Sequence, residues 1–396
     1  MQQSSVRANH AEDLLGRVRH IAPVLADGAA EAERRRKLTD EMQAALVGEK
    51  LFRLLLPRPY DGLEVDLPTF FSVIEAVAKV DGSSAWCLCQ GNGCAMAAAY
   101  LEPEIAKKIW GEDPNAVLAW GPGPRCQAVA DGDGYRLTGR WAFASGGRHA
   151  TWLGGHADVV EADGTPRRNP DGSTHERTLL FPAGDAIWHD VWDVIGLCGT
   201  GSDTFEVTEY YVRHDHSVER DSASERRHRG PLYLFPMMSA YATGFSATAL
   251  GLARSVLESF MELAGDKTPR MARSRLRDNG MVQWELGYAE ARLRAARNYV
   301  LNEVGEIWET VVATGEVTIE QRMRIRLATT FAIHEAKEVA DTAYDLAGAT
   351  AVFAKNGFER RFRDLHTVAQ QLQGRKTHFQ TVGAFLLGLP PDLAVV

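Results

Sequence analysis

The spacing of the apolar residues changes twice along this chain, and those two changes constrain the fold more than any single motif. Up to about Asn115 the apolar positions recur at helical spacing. Asn9 is placed to cap a helix starting at His10, and Thr39 or Asp40 to cap the next. Asp66, Leu67 and Pro68 put a proline in a first helical turn, after which Phe70, Ile74 and Val77 share a face. Ser83 or Ser84 opens a helix in an uncharged run reaching Leu101, and Pro103 starts another that ends near Gly111.

From Ala116 to about His214 the period shortens and glycine becomes dense. Residues 127–130, the turn Asp131, Gly132, Asp133, Gly134, and then residues 135–143 read as strand, tight turn, strand. Residues 152–160, 178–181 and 204–212 are further strands. Residues 213–231 are charged and read as a solvated connector. Long helical periods then return over 236–265, 279–314, 318–348 and 361–387, which suggests an antiparallel four-helix bundle. Trp284, Tyr288, Ala291 and Ala295 fall on one face of the second helix, and helices of this length are often covered by a neighbouring subunit. The expected fold is α+β: an N-terminal helical domain over 1–115, a β-barrel or sandwich over 116–228, and a four-helix bundle over 229–396.

A net charge of -8 argues against a nucleic-acid partner or an anionic membrane surface. Five cysteines, three of them clustered at Cys87, Cys89 and Cys94, make a poor disulfide framework, and their spacing does not suit a metal. The N-terminus lacks a basic stretch followed by an apolar one, so a cytoplasmic location is expected. There is no dinucleotide fingerprint, no P-loop, and neither a His-Glu-x-x-His nor a Gly-x-Ser-x-Gly motif.

Three stretches hold the chemistry that remains. In Trp141, Ala142, Phe143, Ala144, Ser145, Gly146, strand alternation puts Trp141, Phe143 and Ser145 on one face. That face either stacks a planar ring and offers it a hydrogen bond, or belongs to an ordinary sheet core. Gly196 to Ser202 combines glycines with the hydroxyls of Thr200 and Ser202, either as a close approach to a ligand or as a bend. Arg361, Phe362, Arg363, Asp364, Leu365, His366 offers an Arg363–Asp364 ion pair and a histidine that is either functional or structural.

These stretches, with Ser84, Ala85, Trp86 and in this order, resemble the acyl-CoA dehydrogenase superfamily, and within it the two-component flavin monooxygenases. Examples are the 4-hydroxyphenylacetate hydroxylase oxygenase component and dibenzothiophene monooxygenase. The resemblance covers nearly the whole chain. It implies a homotetramer that takes reduced FMN or FAD from a separate NAD(P)H-flavin reductase. Dioxygen would add at flavin C4a, and the hydroperoxide would hydroxylate an aromatic or polycyclic small molecule.

By the same resemblance, Trp141 and Phe143 correspond to flavin-ring walls and Ser145 to a partner near flavin N5, expected as a donor. Trp120, Gly121 and Pro122 correspond to a second flavin loop, with Thr200 nearby. Asp345, Gly348 and Gly374 correspond to cofactor contacts in the bundle. One of Arg270, Arg273 and Arg275, with Arg273 taken as the candidate, would reach phosphate across a subunit interface.

Relatives carry active-site histidines where this chain has Gln371 and Cys94. Glutamine is no base, so His366 or His378 is left as the substitute, or else the substrate needs no deprotonation. A flavin desaturase of the acyl-CoA dehydrogenase type is the alternative enzyme. It needs a carboxylate base, which Gln373 is not and which Glu258, Glu262 or Glu290 would have to supply. A catalytically dead scaffold is the remaining alternative.

Overall fold

A computed structural model describes residues 2–393. Five helices come first: α1 (Gln2–Arg35), α2 (Asp40–Gly48), α3 (Leu67–Val80), α4 (Gly82–Ala95) and the short α5 (Pro103–Ala106). Thr39 caps α2 by accepting from Met42 N, and Asp66 caps α3 by accepting from Thr69 N. Two expected starts differ. Asn9 lies inside α1 rather than at its cap. The α4 cap is Asp81, whose carboxylate accepts from Ser84 N at 2.7 Å, two or three residues ahead of the expected start at Ser83 or Ser84.

Eight strands follow: β1 (Leu118–Trp120), β2 (Gln127–Asp131), β3 (Gly134–Trp141), β4 (Trp152–Val160), β5 (Glu176–Pro182), β6 (Ile187–His189), β7 (Thr204–Arg213) and β8 (Ser217–Val218). They form one mixed sheet in the order β6-β7-β3-β2-β4-β5-β8, with β1 parallel to β4. The sheet curls so that β4 and β5 face β3 and β7. Phe181 meets Phe205 at 6.1 Å between ring centroids, and a Cβ at Gly155 would lie 2.8 Å from the Trp141 ring. Trp141, Leu137, Phe181, Phe205 and Val207 fill this β core.

The charged connector is not solvated throughout. Ser217 and Val218 are buried, and the Asp221 carboxylate accepts from Met237 N at the start of the next helix. The bundle comprises α6 (Met237–Asp266), α7 (Gly280–Thr314), α8 (Ile319–Ala347), α9 (Phe358–Val368) and α10 (Thr377–Leu386). Asn279 caps α7, and Thr318 with Gln321 makes a capping box on α8. The expected fourth long helix is broken. A short turn at Leu372–Gly374, capped by Gln371, separates α9 from α10. One continuous apolar core joins the N-terminal helices to the bundle, running from Leu14 through Phe70 and Phe245 to Leu365. Residues near the seam between this core and the β core line the candidate site.

Candidate active site

Strand β3 ends at Trp141, and the chain then turns sharply. Phe143 takes a φ of +56°, which reverses the direction that alternation assigned to it. Trp141, Phe143 and Ser145 therefore do not share a face. Trp141 is fully buried in the β core, donates its indole N–H to His156 O at 2.9 Å and stacks on Phe205. It cannot wall a flavin. Phe143 is 62% exposed, with Trp192 edge-on at 6.0 Å and the exposed side chains of Val191 and Ile195 in the following loop. An exposed aromatic ring with an aromatic neighbour has the chemistry that one face of a planar tricyclic ring requires.

Ser145 is buried beside it. Its Oγ accepts from Trp86 Nε1 at 3.0 Å and lies 2.7 Å from Ser202 Oγ. Ser202 Oγ in turn lies 2.7 Å from Thr200 Oγ1, which donates to Leu197 O at 2.8 Å. Gly146 N donates to Thr200 O at 2.8 Å, so the two hydroxyl-bearing turns are laced together. Trp86 packs on Phe245 with ring centroids 4.1 Å apart, which ties the cluster to α6.

The loop of Trp120, Gly121 and Pro122 lies against the same turn. Ala142 N donates to Pro122 O at 3.0 Å, and a Cβ at Gly121 would sit 1.8 Å from Ala142 O. Only glycine allows that approach. Trp120 is buried, with Arg220 over its ring.

Asp364 holds the hydroxyl loop to the bundle. Its Oδ1 accepts from Leu197 N at 2.6 Å, and burial pushes its carboxyl up to about 7. The expected ion pair with Arg363 is absent, because Arg363 turns to Glu33 and Glu359 instead.

The other candidates are engaged elsewhere. Cys94 is buried on α4, 3.5 Å from Tyr241 Oη, and burial pushes its thiol up to about 12. Gln90 Nε2 lies 3.4 Å from Tyr241 Oη and 3.5 Å from Trp120 O. Gln371 spends its side-chain oxygen on Gln373 N at 2.6 Å. His366 pairs with Asp341 at 2.7 Å and packs at a tilt against Phe362, on one flank of the bundle. His378 Nε2 donates to Leu372 O at 2.7 Å, and burial lowers its basicity. Gln373 accepts from the buried Arg326, and Gly374 O accepts from His334 at 2.9 Å.

Asp345 and Gly348 are exposed at the end of α8, where Lys267 binds Ala347 O and Thr350. Arg273 is exposed in the α6–α7 connection. Among the described residues no hydrogen bond or ring contact joins Asp345, Gly348 or Arg273 to the Ser145 cluster.

The structure therefore brings together Ser145, Phe143, Thr200, Trp120, Gly121 and Pro122. Sequence reasoning passed over Trp86 and Ser202 as site members, although both stood in quoted motifs. It also missed Asp364's link to Leu197, which no local signal announces. A cavity of about 580 Å³ opens at the Gly147 turn between Lys37, Arg148, Trp188 and Asp190, and none of the expected site residues lines it.

Residues 243–374 match the family described as acyl-CoA dehydrogenase, C-terminal domain. The chain is 28% identical over 361 residues to indole-3-acetate monooxygenase of Pseudomonas putida, covering 91% of this chain and 90% of that one. It is 26% identical over 401 residues to the flavin-dependent monooxygenase oxygenase subunit HsaA of Mycobacterium tuberculosis, covering 99% and 100%. Among solved structures it superposes on XiaF from Streptomyces sp., in complex with FADH2 and glycerol, with a TM-score of 0.92 at 25% identity over the whole of both chains.

Proposed function

We infer that this chain is a member of the acyl-CoA dehydrogenase superfamily, similar to its two-component flavin monooxygenases, and a reduced-flavin-dependent monooxygenase acting on an aromatic small molecule. The observation that carries the reading is the exposed Phe143 ring set beside the buried Ser145 hydroxyl, on a chain alike over its full length to such enzymes. When bound, reduced FMN or FAD supplies the electrons that activate dioxygen. Phe143 is the ring wall in this reading, and Gly121 lets the neighbouring backbone approach closely. Ser145 is the polar contact, and Trp86 with Phe245 keeps that edge dry. Water exclusion of this kind strengthens each hydrogen bond in the site.

The substrate reading follows from the commitments of the candidate acid–base groups. The Cys94 thiol and the Tyr241 phenol are both held protonated by burial, and Gln371 is occupied as a cap. His366 is committed to Asp341. A ring already electron-rich without deprotonation, such as an indole, suits this set better than a phenol needing a base. The name of the Pseudomonas putida relative points the same way.

The finer reading includes a separate flavin reductase, a cytoplasmic location, segment boundaries near 115 and 228, and a homotetramer. The oxygenase-subunit relative supports the reductase. Among the described residues no helix is long and apolar enough to cross a membrane, which is compatible with the location. The exposed stripe of Met281, Trp284 and Tyr288 on α7 supports a covering subunit, and Arg273, Asp345 and Gly348 belong to that intersubunit part of the reading.

The desaturase alternative is disfavoured by its candidate bases: Glu258 pairs with Lys79, Glu290 pairs with Arg254 and Arg294, and Glu262 is exposed. A dead scaffold would have no use for an exposed Phe143. Anaerobic titration with dithionite-reduced FMN and FAD tests the reading. Saturable binding is expected; no binding of either, or bleaching of oxidised flavin by an acyl-CoA, would replace it with an alternative.

A further inference from the structure

The hydroxyls behind Phe143 form a chain whose polarity can be worked out from its end. Leu197 O is a carbonyl and can only accept, so the single hydroxyl proton of Thr200 is committed to it at 2.8 Å. Thr200 Oγ1 is then an acceptor toward Ser202, 2.7 Å away, and takes Ser202's only hydroxyl proton. Ser202 Oγ is left as an acceptor toward Ser145, also 2.7 Å away, and takes the Ser145 proton. Trp86 Nε1, which can only donate, fills one Ser145 lone pair at 3.0 Å. Every hydroxyl proton is therefore used within the chain, and Ser145 keeps one lone pair unfilled. The anchor is firm, because Leu197 N is itself bound by the buried Asp364 at 2.6 Å.

We propose that Thr200 and Ser202 are positioning residues that fix Ser145 as a hydrogen-bond acceptor toward the cofactor, so that the site selects reduced over oxidised flavin. This rests on the reading that Ser145 meets the flavin, and it reverses the donor role expected from the resemblance. Reduced flavin carries an N–H at N5, whereas oxidised flavin carries a lone pair there. An acceptor-only oxygen suits the first and repels the second. Were the Ser145 proton free, the hydroxyl would turn and serve either form equally, as an unconstrained hydroxyl does.

The relay is broken at either of two places. Ser202→Ala removes the acceptor for the Ser145 proton. Thr200→Val removes the acceptor for Ser202, which then donates to Ser145 and frees that proton outward. Thr200→Ser keeps the relay. The experiment is an anaerobic titration of each full-length variant with oxidised and with dithionite-reduced FMN and FAD, read as the ratio of the two dissociation constants.

One hydrogen bond gained or lost corresponds to about tenfold in that ratio. For a two-electron couple this equals a drop of ~30 mV in the bound flavin's midpoint potential. Ser202→Ala and Thr200→Val should each narrow the preference for reduced flavin by about that factor, while Thr200→Ser retains it. A merely structural loss would weaken both redox forms alike and leave the ratio unmoved. Ser145→Ala separates the two layers of the argument. If it alone lowers the ratio, the relay is overturned and the placement of Ser145 stands. If none of the variants moves the ratio, that placement falls and the relay with it.

Discussion

Trp141 and Phe143 sit two positions apart in the chain and at opposite extremes of exposure, 0% and 62%, so substitutions at them should separate folding from cofactor binding. Trp141→Phe keeps an aromatic ring against Phe205 but deletes the donor that His156 O receives at 2.9 Å. It also leaves a void where the larger indole packed under Gly139 and Gly155, whose missing Cβ atoms make room for it. The lost donor and the partial cavity together correspond to about 2–4 kcal/mol, short of the full truncation penalty for a buried tryptophan. Phe143→Ala touches an exposed side chain and should change stability by no more than ~0.5 kcal/mol. It removes a ring contact of ~0.5–1.5 kcal/mol, or up to about tenfold in flavin affinity. Urea unfolding gives the first quantity, and anaerobic titration with reduced flavin on folded protein gives the second. If Trp141→Phe weakens flavin binding without loss of stability, or if Phe143→Ala does the converse, the assignment of these two residues is wrong.

Three further outcomes follow from the same geometry. Burial raises the Asp364 carboxyl to about 7, so the folded chain holds that proton more tightly than the unfolded one does. The stability this adds is complete below about pH 4 and is lost as pH rises through about 7. Asp364→Asn, which keeps an oxygen for Leu197 N, should flatten the fall in unfolding free energy between about pH 4 and 7, and parallel curves for the two proteins would refute it. All five cysteines are free and buried, and burial holds the Cys94 thiol at about 12, so the native protein should give no thiol titre with Ellman's reagent while the denatured chain gives five. Under the proposed homotetramer, Trp284→Glu places a charge in the exposed stripe on α7 and should lower the mass seen in light scattering without unfolding the chain; an unchanged mass would remove that stripe from the proposed subunit interface.

Much of the fold was legible because its determinants are local. Thr39, Asp66, Asn279 and Thr318 lie directly before the helices they cap, and Gly132 with Asp133 makes the tight turn between β2 and β3. The order of helical, strand and helical periods therefore survived intact. The break between α9 and α10 was hidden because Gln371 caps a turn through a side chain that also suits a helix. The site was only half legible. Alternation carried Trp141 and Phe143 onto one face, since nothing local reveals that the strand stops at Trp141 and that Phe143 adopts a positive φ. The Asp364–Leu197 bond joins residues 167 positions apart, and the Trp86–Ser145 bond 59 apart; both are products of packing.

The central claim concerns where a product's oxygen comes from. The full chain, supplied with chemically reduced FMN or FAD, indole or indole-3-acetate and 18O-labelled dioxygen in the absence of any reductase, provides the direct test. The account predicts a hydroxylated product carrying one labelled atom, formed only while reduced flavin is present. Product whose oxygen comes from water, or flavin reduction by an acyl-CoA without oxygen, would contradict it.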